Sequence, residues 1–206
     1  KSQLLTMGGL VENRIHRAVD ALIHRRGDEA RKIIDSDVEI NDLQIEIDER
    51  CLRILATQTP VAVDLRFVAA AIKINSDLER MGDQSVNIAE NTLKCLHQPP
   101  LKPFIDLPHM AALAEQMTRD ALDAFVRRDG ELAREVLRRD DNVDDLKDQI
   151  FRELLTYMMA DPGTIERALA LILISRSIER IADHATNIAE DVIFMVEAKD
   201  VRHHHA

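Results

Sequence analysis

The sequence contains no tryptophan, one tyrosine and two cysteines among its 206 residues. Aromatic residues make up only 3% of the chain, which leaves little surface on which nucleic-acid bases could stack. Cys51 and Cys95 lie far apart and form no Cys-x-x-Cys pair, so a zinc ribbon and a thioredoxin-like redox site are excluded. Two isolated cysteines instead fit buried, inert thiols in a reducing cytosol.

The sequence also lacks a surplus of positive charge and a long apolar run. Its net charge is −10, which argues against binding to the phosphate backbone of a nucleic acid. The longest nearly apolar stretch, residues 168–174, is far shorter than the ~20 residues that a membrane-spanning helix needs. Residues 1–9 carry no signal-peptide pattern. We therefore expect a cytoplasmic protein with no membrane span and no nucleic-acid partner.

Glycine and proline number six each, too few for a turn-rich all-β protein, and the remaining composition favours helices. Apolar residues recur at steps of three and four along almost the whole chain, which predicts six amphipathic helices. The second of these is predicted as one element with Ile33 and Ile54 on the same side. The predicted breaks lie at 27–28, 58–60, 99–108, 129–130 and 161–163.

The pattern of helix, turn, helix, proline break and long helix occurs twice. Residues 79–90 return as residues 179–190 with seven of twelve positions identical, and Pro60 is answered by Pro162. A repeat of this length indicates a duplicated supersecondary unit. The predicted fold is therefore all-α, with two tandem three-helix bundles related by internal duplication. The predicted boundaries are residues 1–98 and 109–206 for the bundles and 99–108 for a proline-rich linker.

Acidic and amide side chains form a stripe on both long helices. With Glu79 at zero, Asp83 falls at about 40°, Asn87 at about 80° and Glu90 at about 20° on a helical wheel. The repeated segment and the helix before each long helix continue the pattern. The remaining candidate ligands are Glu179, Asp183, Asn187, Glu190, Asp37, Asn41, Asp140 and Asp144.

Such stripes need a physical reason, because clustered carboxylates repel one another and raise one another's pKa. Oxygen ligands of this kind suit a hard divalent or trivalent cation such as Mg, Ca, Mn or iron. The alternative is a solvated helix face on which Arg80 and Arg180 pair with the acids. Repetition of Asn and Glu at matching positions favours ion binding, since a solvated face has no reason to keep them.

At these residues the chain resembles the PhoU family of bacterial phosphate-uptake regulators. The likeness covers both halves in order and is carried by residues 6–12, 64–66, 78–83, 157–162 and 178–190. It implies two three-helix bundles whose paired acidic motifs hold metal, including multinuclear iron clusters. Iron is the foremost candidate, with zinc, manganese, magnesium, calcium and nickel as alternatives. The motif falls on Glu79 with Asp83, Glu179 with Asp183 and Asp140 with Asp144. Its fourth copy differs, because Asp37 is paired with Asn41 rather than with an acid at that position.

The resemblance also implies a function. PhoU proteins act as negative regulators of phosphate uptake and of the phosphate-starvation response. The family links the ATPase subunit of the phosphate ABC transporter to a PhoR-type sensor histidine kinase. The chain is then a non-enzymatic cytoplasmic adaptor held at the inner membrane through its partners. Separately, an exposed apolar strip on such flat bundles favours a homodimer.

Two other functions are weighed against this one. A di-iron carboxylate enzyme of the ferritin-like type needs Glu-x-x-His on two helices, and the sequence has none. A purely structural helical module with solvated acids predicts that replacing Glu79 by Gln and Asp83 by Asn changes neither stability nor signalling.

Overall fold

The chain folds as helices, in agreement with its periodicity. The computed structural model describes residues 1–36, 38–199 and 201, and within them the elements are helical, with no strand. The helices are α1 (Ser2–Ile23), α2 (Gly27–Asp35), α3 (Val38–Gln58), α4 (Val63–Leu96), α5 (Asp106–Arg127), α6 (Gly130–Ala160), the short 3₁₀ helix η1 (Pro162–Thr164) and α7 (Ile165–Glu197). The prediction of an all-α fold is confirmed.

The prediction of one continuous second helix is wrong. The segment divides into α2 and α3, and Ser36 closes α2 through its amide and hydroxyl, which both donate to the carbonyl of Ile33. Arg14 of α1 donates to the carbonyl of Ser36 at 2.5 Å, so a buried guanidinium satisfies a backbone group that a continuous helix would use itself. Apolar periodicity missed the break because Ile33 and Ile40 both remain in the core.

Helices α4 and α7 form the central antiparallel pair of the molecule. Helix α3 flanks α4, helix α6 flanks α7, and α1 and α5 pack against these helices and against each other. Lys73 meets Asp191, while Asp77, one turn later, meets His184. Residue numbers therefore rise along α4 as they fall along α7, which places the two halves side by side in opposite directions.

The hydrophobic core runs through both halves without interruption. Phe67 of the first half stacks on Phe125 of the second, with ring centroids 5.3 Å apart and an interplanar angle of 16°. Gly8 brings α1 close to α5, because a Cβ at that position would lie 2.4 Å from Cδ1 of Leu122. Among the described helices, none is both long enough and hydrophobic enough to span a membrane.

Candidate functional site

Four predicted carboxylates come together on facing sides of α6 and α7, which run antiparallel around the η1 turn. We call this set, Asp140 and Asp144 of α6 with Glu179 and Asp183 of α7, the α6–α7 acidic cluster. Lys147 of α6 lies between its members. The ammonium Nζ of Lys147 is 2.9 Å from Oδ1 of Asp144 and 3.2 Å from Oε1 of Glu179, so one lysine ties the two helices together.

The electrostatics of the cluster show how closely its members interact. Burial, together with the charges of Asp183, Asp144 and other nearby acids, raises the pKa of Asp140 to about 6. The pKa of Asp183 is also raised, first by loss of hydration among the packed helices and then by Glu179 and Asp144, although Asp183 keeps contact with solvent. Hydrogen bonds to Asp144 and Glu179 hold the pKa of Lys147 above its ordinary value. The cluster therefore carries more negative charge than one lysine neutralises.

The donor atoms of the cluster suit a hard cation, since all are carboxylate oxygens. Their present placement suits Lys147 instead. Among the described residues, no three acidic, histidine or cysteine side chains are grouped so that they could hold a metal ion. A metal would thus have to take over the position of the Lys147 ammonium, and the carboxylates would have to turn toward it.

The corresponding region of the first half is arranged differently. Asn41 lies half-buried on α3, Glu79 is half-buried on α4 and Asp83 is exposed, while Asp37 lies outside the described residues. A Cβ on Gly82 would lie 3.2 Å from Cδ1 of Ile40 and 3.7 Å from Nη1 of Arg14. The guanidinium of Arg14 from α1 therefore lies next to this part of α4.

The predicted ligands further along the long helices do not join these clusters. Asn187 and Glu190 line a groove between α4 and α7 together with Lys73, Asp77 and Arg80. Asn187 donates to Oδ1 of Asp77 at 3.4 Å. The stripe on α7 is thus split: Glu179 and Asp183 turn toward α6, whereas Asn187 and Glu190 turn toward α4.

Asn87 and Glu90 are the predicted ligands further along α4. The side-chain amide nitrogen of Asn87 donates to Oε1 of Gln84 at 3.2 Å. The backbone carbonyl of Asn87 accepts a hydrogen bond from the side-chain amide of Asn91. Glu90 is exposed. Both lie further along α4 than the acidic pair Glu79 and Asp83.

Sequence reasoning missed the pair that connects the halves. Asp77 is buried, and its Oδ1 lies 2.9 Å from Nδ1 of His184 across the α4–α7 contact. The carboxylate accepts, so Nδ1 is the donor. No local signal identifies such a partner, because the two residues are more than a hundred positions apart.

Sequence reasoning also missed two cations that lie near predicted ligands, Lys147 and Arg14. Each could have been noticed from the local sequence pattern. Lys147 stands three residues after Asp144, a spacing that favours pairing on a helix. Arg14 occupies the apolar face of α1 between Val11 and Ala18, and a charged residue at a periodic core position indicates a buried partner.

Comparisons with known proteins agree with this architecture. The model of the PhoU domain matches the chain twice, over residues 4–92 and 107–192. The phosphate-specific transport system accessory protein PhoU homolog of Pseudomonas putida is 43% identical over 204 residues, which is 98% of this chain and 80% of that protein. The phosphate-specific transport system accessory protein PhoU of Escherichia coli (strain K12) is 37% identical over 203 residues, covering 98% of this chain and 84% of that protein.

Solved structures give the same result at the level of the fold. The crystal structure of PhoU from Pseudomonas aeruginosa matches with a TM-score of 0.92 at 41% identity, covering 96% of this chain and 95% of that one. The phosphate transport system regulatory protein PhoU from Streptococcus pneumoniae matches with a TM-score of 0.91 at 31% identity, covering 97% and 94%. The resemblance seen in the sequence is confirmed: the chain belongs to the PhoU family and carries two copies of its domain.

Proposed function

We propose that this protein is an accessory regulator of phosphate transport that represses phosphate uptake and phosphate-starvation signalling. The observation that carries the proposal is the relationship over nearly the whole chain, in both halves, to proteins named for the phosphate-specific transport system. In this proposal the protein is a cytoplasmic adaptor and not a catalyst. Its partners are the ATPase subunit of the phosphate ABC transporter and a PhoR-type sensor histidine kinase, and it reaches the inner membrane through them.

The shape of the molecule supports an adaptor. Helices α3, α4, α7 and α6 are successive neighbours, and α4 alone has 34 residues, about 50 Å at 1.5 Å per residue. The shared core makes this array one packed body. Two partners could therefore bind to different parts of one rigid surface.

A direct binding measurement tests the adaptor role. The purified protein is immobilised and exposed separately to the transporter ATPase subunit and to the cytoplasmic part of the kinase from the same organism, with an unrelated ABC ATPase as the control. We expect saturable binding of both partners and none of the unrelated ATPase. Absence of binding to both partners would contradict the adaptor function.

We also propose that the α6–α7 acidic cluster binds a hard metal ion, with iron as the first candidate. Asp140, Asp144, Glu179 and Asp183 would hold it, and Asn41, Glu79 and Asp83 with Asp37 would form a weaker counterpart. The ion would supply positive charge that cross-links α6 and α7. Support comes from the pKa of Asp140, which burial and then the neighbouring carboxylates raise.

Metal content per protein measures this directly. Tagless protein purified without chelator is analysed by plasma mass spectrometry, as wild type and as the variant Glu179→Gln with Asp183→Asn. A matched control carries Asp145→Asn and Glu166→Gln, two exposed acids outside the cluster. We expect bound metal in the wild type and the control and its loss in the cluster variant. Equal metal in all three proteins would exclude the cluster as the site.

The proposed homodimer is tested separately by sedimentation equilibrium over a range of concentrations. A molecular mass of twice 23.4 kDa is expected, and a single monomeric species at high concentration would contradict it.

A further inference from the structure

The backbone sets the register between the two halves. Arg25 and Arg128 both adopt the left-handed conformation, with φ of 55° and 57°, and a helix begins two residues after each of them, at Gly27 and Gly130. An offset of 103 residues, from Gly27 to Gly130, therefore relates α1 to α5 and the helices that follow them. A charged residue with no charged counterpart in this register marks a place where the halves differ.

Each half has a cation near its acidic motif, and the other half lacks it. Arg14 of α1 corresponds to Met117 of α5, and Lys147 of α6 corresponds to Gln44 of α3. Met117 is fully buried and, like Gln44, carries no charge. The two halves therefore bring a positive charge to their acids from different helices, from α1 in the first half and from α6 in the second.

Arg14 lies beside the turn of α4 that carries two of the predicted ligands. Its side chain is buried, with the residue 5% exposed, and it donates to the carbonyl of Ser36 at 2.5 Å, which fixes the guanidinium at the end of α2. Nη1 lies 3.7 Å from the position that a Cβ would take on Gly82. Gly82 stands between Glu79 and Asp83 in the sequence of α4. A permanent positive charge is thus built into the acidic motif of the first half.

Arg14 and Lys147 differ in how readily they can give way to an ion. A guanidinium does not lose its proton in proteins and presents a rigid fork of donors, and Arg14 is buried with a backbone carbonyl as a partner. An ion that displaced it would leave that buried charge and that carbonyl without their present partners. The side chain of Lys147 is 29% exposed and ends in a compact ammonium on a flexible stem. It can turn into solvent and leave its carboxylates to a metal.

The first half also offers a cation fewer charged ligands. Asn41 stands where the second half has Asp144, so a neutral amide replaces one carboxylate. Affinity for a hard cation depends on the number of charged oxygen ligands. Gly82, against which the guanidinium lies, stands where the second half has Ala182. The residues of the first half thus fit a resident guanidinium, and they do not fit the metal ion that the acidic motif implies.

Other arginines do not remove this contrast. Arg80 and Arg180 follow Glu79 and Glu179 at matching positions and are both exposed, so they distinguish neither half. Arg139 of α6 donates to two acids outside the α6–α7 acidic cluster. Arg138 is exposed, and solvent and salt screen its charge.

We propose that Arg14 is a resident counter-ion that takes the place of a metal ion in the first half. The acidic motif of the first half is then neutralised by the chain itself, whatever the metal supply. In the second half an ion replaces the ammonium of Lys147, so only the α6–α7 acidic cluster responds to metal. The inference rests on the proposed metal binding of that cluster, and it gives the reason why the counterpart in the first half is weaker.

Mn²⁺ binding to the full-length protein tests the proposal in the Glu179→Gln, Asp183→Asn background, which disables the α6–α7 acidic cluster. Free Mn²⁺ is counted from its electron paramagnetic resonance signal. With Arg14 in place, this background should bind Mn²⁺ about tenfold more weakly than the wild type. Adding Arg14→Met with Asn41→Asp, which copies the second half at both positions, should raise the affinity of the background about tenfold.

Three further variants in the same background identify Arg14 as the cause. Asn41→Asp alone should bring no gain, because the guanidinium remains. Arg14→Gln with Asn41→Asp removes the charge but keeps an amide donor on the side of Ser36, and it should gain affinity as the methionine variant does. The matched control is Arg17→Met with Asn41→Asp, which removes an arginine of α1 that pairs with Glu29, and it should gain nothing. Circular dichroism verifies that each variant is folded.

The outcomes separate this proposal from the metal function of the α6–α7 acidic cluster. An Mn²⁺ affinity unchanged by loss of Arg14, or an equal gain from Asn41→Asp alone, overturns the proposal. So does background protein that still contains Arg14 and binds Mn²⁺ as tightly as the wild type, a result that needs no variant of Arg14. Wild-type protein that binds no Mn²⁺ while the Arg14 variants do refutes the function of the cluster alone. Wild-type protein that binds Mn²⁺ through the cluster while the variants gain none refutes the role of Arg14 alone.

Discussion

At Asp140, burial and the charges of neighbouring carboxylates act in the same direction, and both raise the pKa. Asp144, Glu179 and Asp183 surround this position on two helices. Carboxylates at such close quarters raise one another's pKa, and a nearby cation opposes that shift. Lys147 supplies one positive charge, and its partial burial makes that charge effective. The cation that pairs with Asp144 and Glu179 is thus a lysine that no ligand motif contains.

The first prediction concerns the pH dependence of stability in metal-free protein. The pKa of Asp140 is about 6 in the fold against 3.8 ordinarily, so the folded state takes up a proton more readily than the unfolded chain between these values. The associated stabilisation is present at low pH and is lost as pH rises through about 6. Asp140→Asn should therefore raise the free energy of unfolding at pH 7.5, by roughly 1 kcal/mol once the solvent exposure of the side chain is allowed for.

Urea unfolding with a chelator present, followed across the pH range, checks this prediction. The advantage of the variant over the wild type should shrink as pH falls below about 6. Asp145→Asn, an exposed acid outside the cluster, serves as the control and should show no such trend. A variant that is less stable than the wild type at pH 7.5 would contradict the prediction.

The second prediction concerns Lys147→Gln. Without metal the variant should lose about 1 kcal/mol, since Asp144 and Glu179 lose a partly buried cation. Its affinity for Mn²⁺ should rise about tenfold, because the ion no longer has to displace the ammonium. Isothermal titration calorimetry measures the affinity, with Arg138→Gln as the control. Equal Mn²⁺ affinities in the variant and the wild type would show that Lys147 does not compete with the metal.

Among the elements, the crossing of α1 and α5 depends on one glycine. Gly8 is buried, and Leu122 of α5 fills the space where its Cβ would lie. Gly9, the next residue, has nothing within 4 Å of the corresponding position. Adjacent glycines in one helix therefore have different roles: Gly8 permits close approach, and Gly9 only lowers the helix propensity.

The third prediction uses this natural pair. Gly9→Ala should stabilise the protein by roughly 0.5–1 kcal/mol, the gain in helix propensity. Gly8→Ala should destabilise it by about 1–2 kcal/mol, since the added methyl group must displace a buried leucine. Thermal and urea unfolding measure both variants. Restoration of part of the loss by Leu122→Ala in the Gly8→Ala background would locate the cause, and equal effects of the two glycine substitutions would contradict it.

For the whole molecule, the interface between the halves is part of the core. Three contacts cross it: the stacked rings of Phe67 and Phe125, the buried pair of Asp77 with His184, and the pair of the exposed Lys73 with the buried Asp191. Such contacts bury apolar surface that a separate half would expose to water. The predicted boundaries thus describe a repeat in the chain, and one continuous hydrophobic core contains residues of both repeats.

The fourth prediction follows from this shared core. A fragment of residues 1–98 should not fold cooperatively, because the surfaces of α1 and α4 that contact α5 and α7 would be solvated. We expect reduced helicity, a broad thermal transition and binding of a hydrophobic dye, whereas the full chain should unfold in one sharp transition. Circular dichroism and calorimetry check this. A fragment with a sharp transition near that of the full chain would show that each half is an independent domain.

The sequence alone determined the helices, the duplication and the acidic stripes. These are local properties, set by a period of about 3.6 residues and by pattern identity between the halves. The same reasoning could place Asp140 and Asp144 on one face of their helix and Glu179 and Asp183 on one face of the next. The short connection between the two helices predicts that they are neighbours.

Only the tertiary structure decided how these faces meet. In the folded protein α2 ends at Asp35, and Asn187 donates to Asp77. Lys147 lies among the carboxylates, and Asp77 pairs with His184. Each of these depends on the rotation and level of one helix relative to another, which packing of side chains far apart in the chain determines. Periodicity shows which face of a helix is acidic, but the partner that face meets follows from the three-dimensional packing.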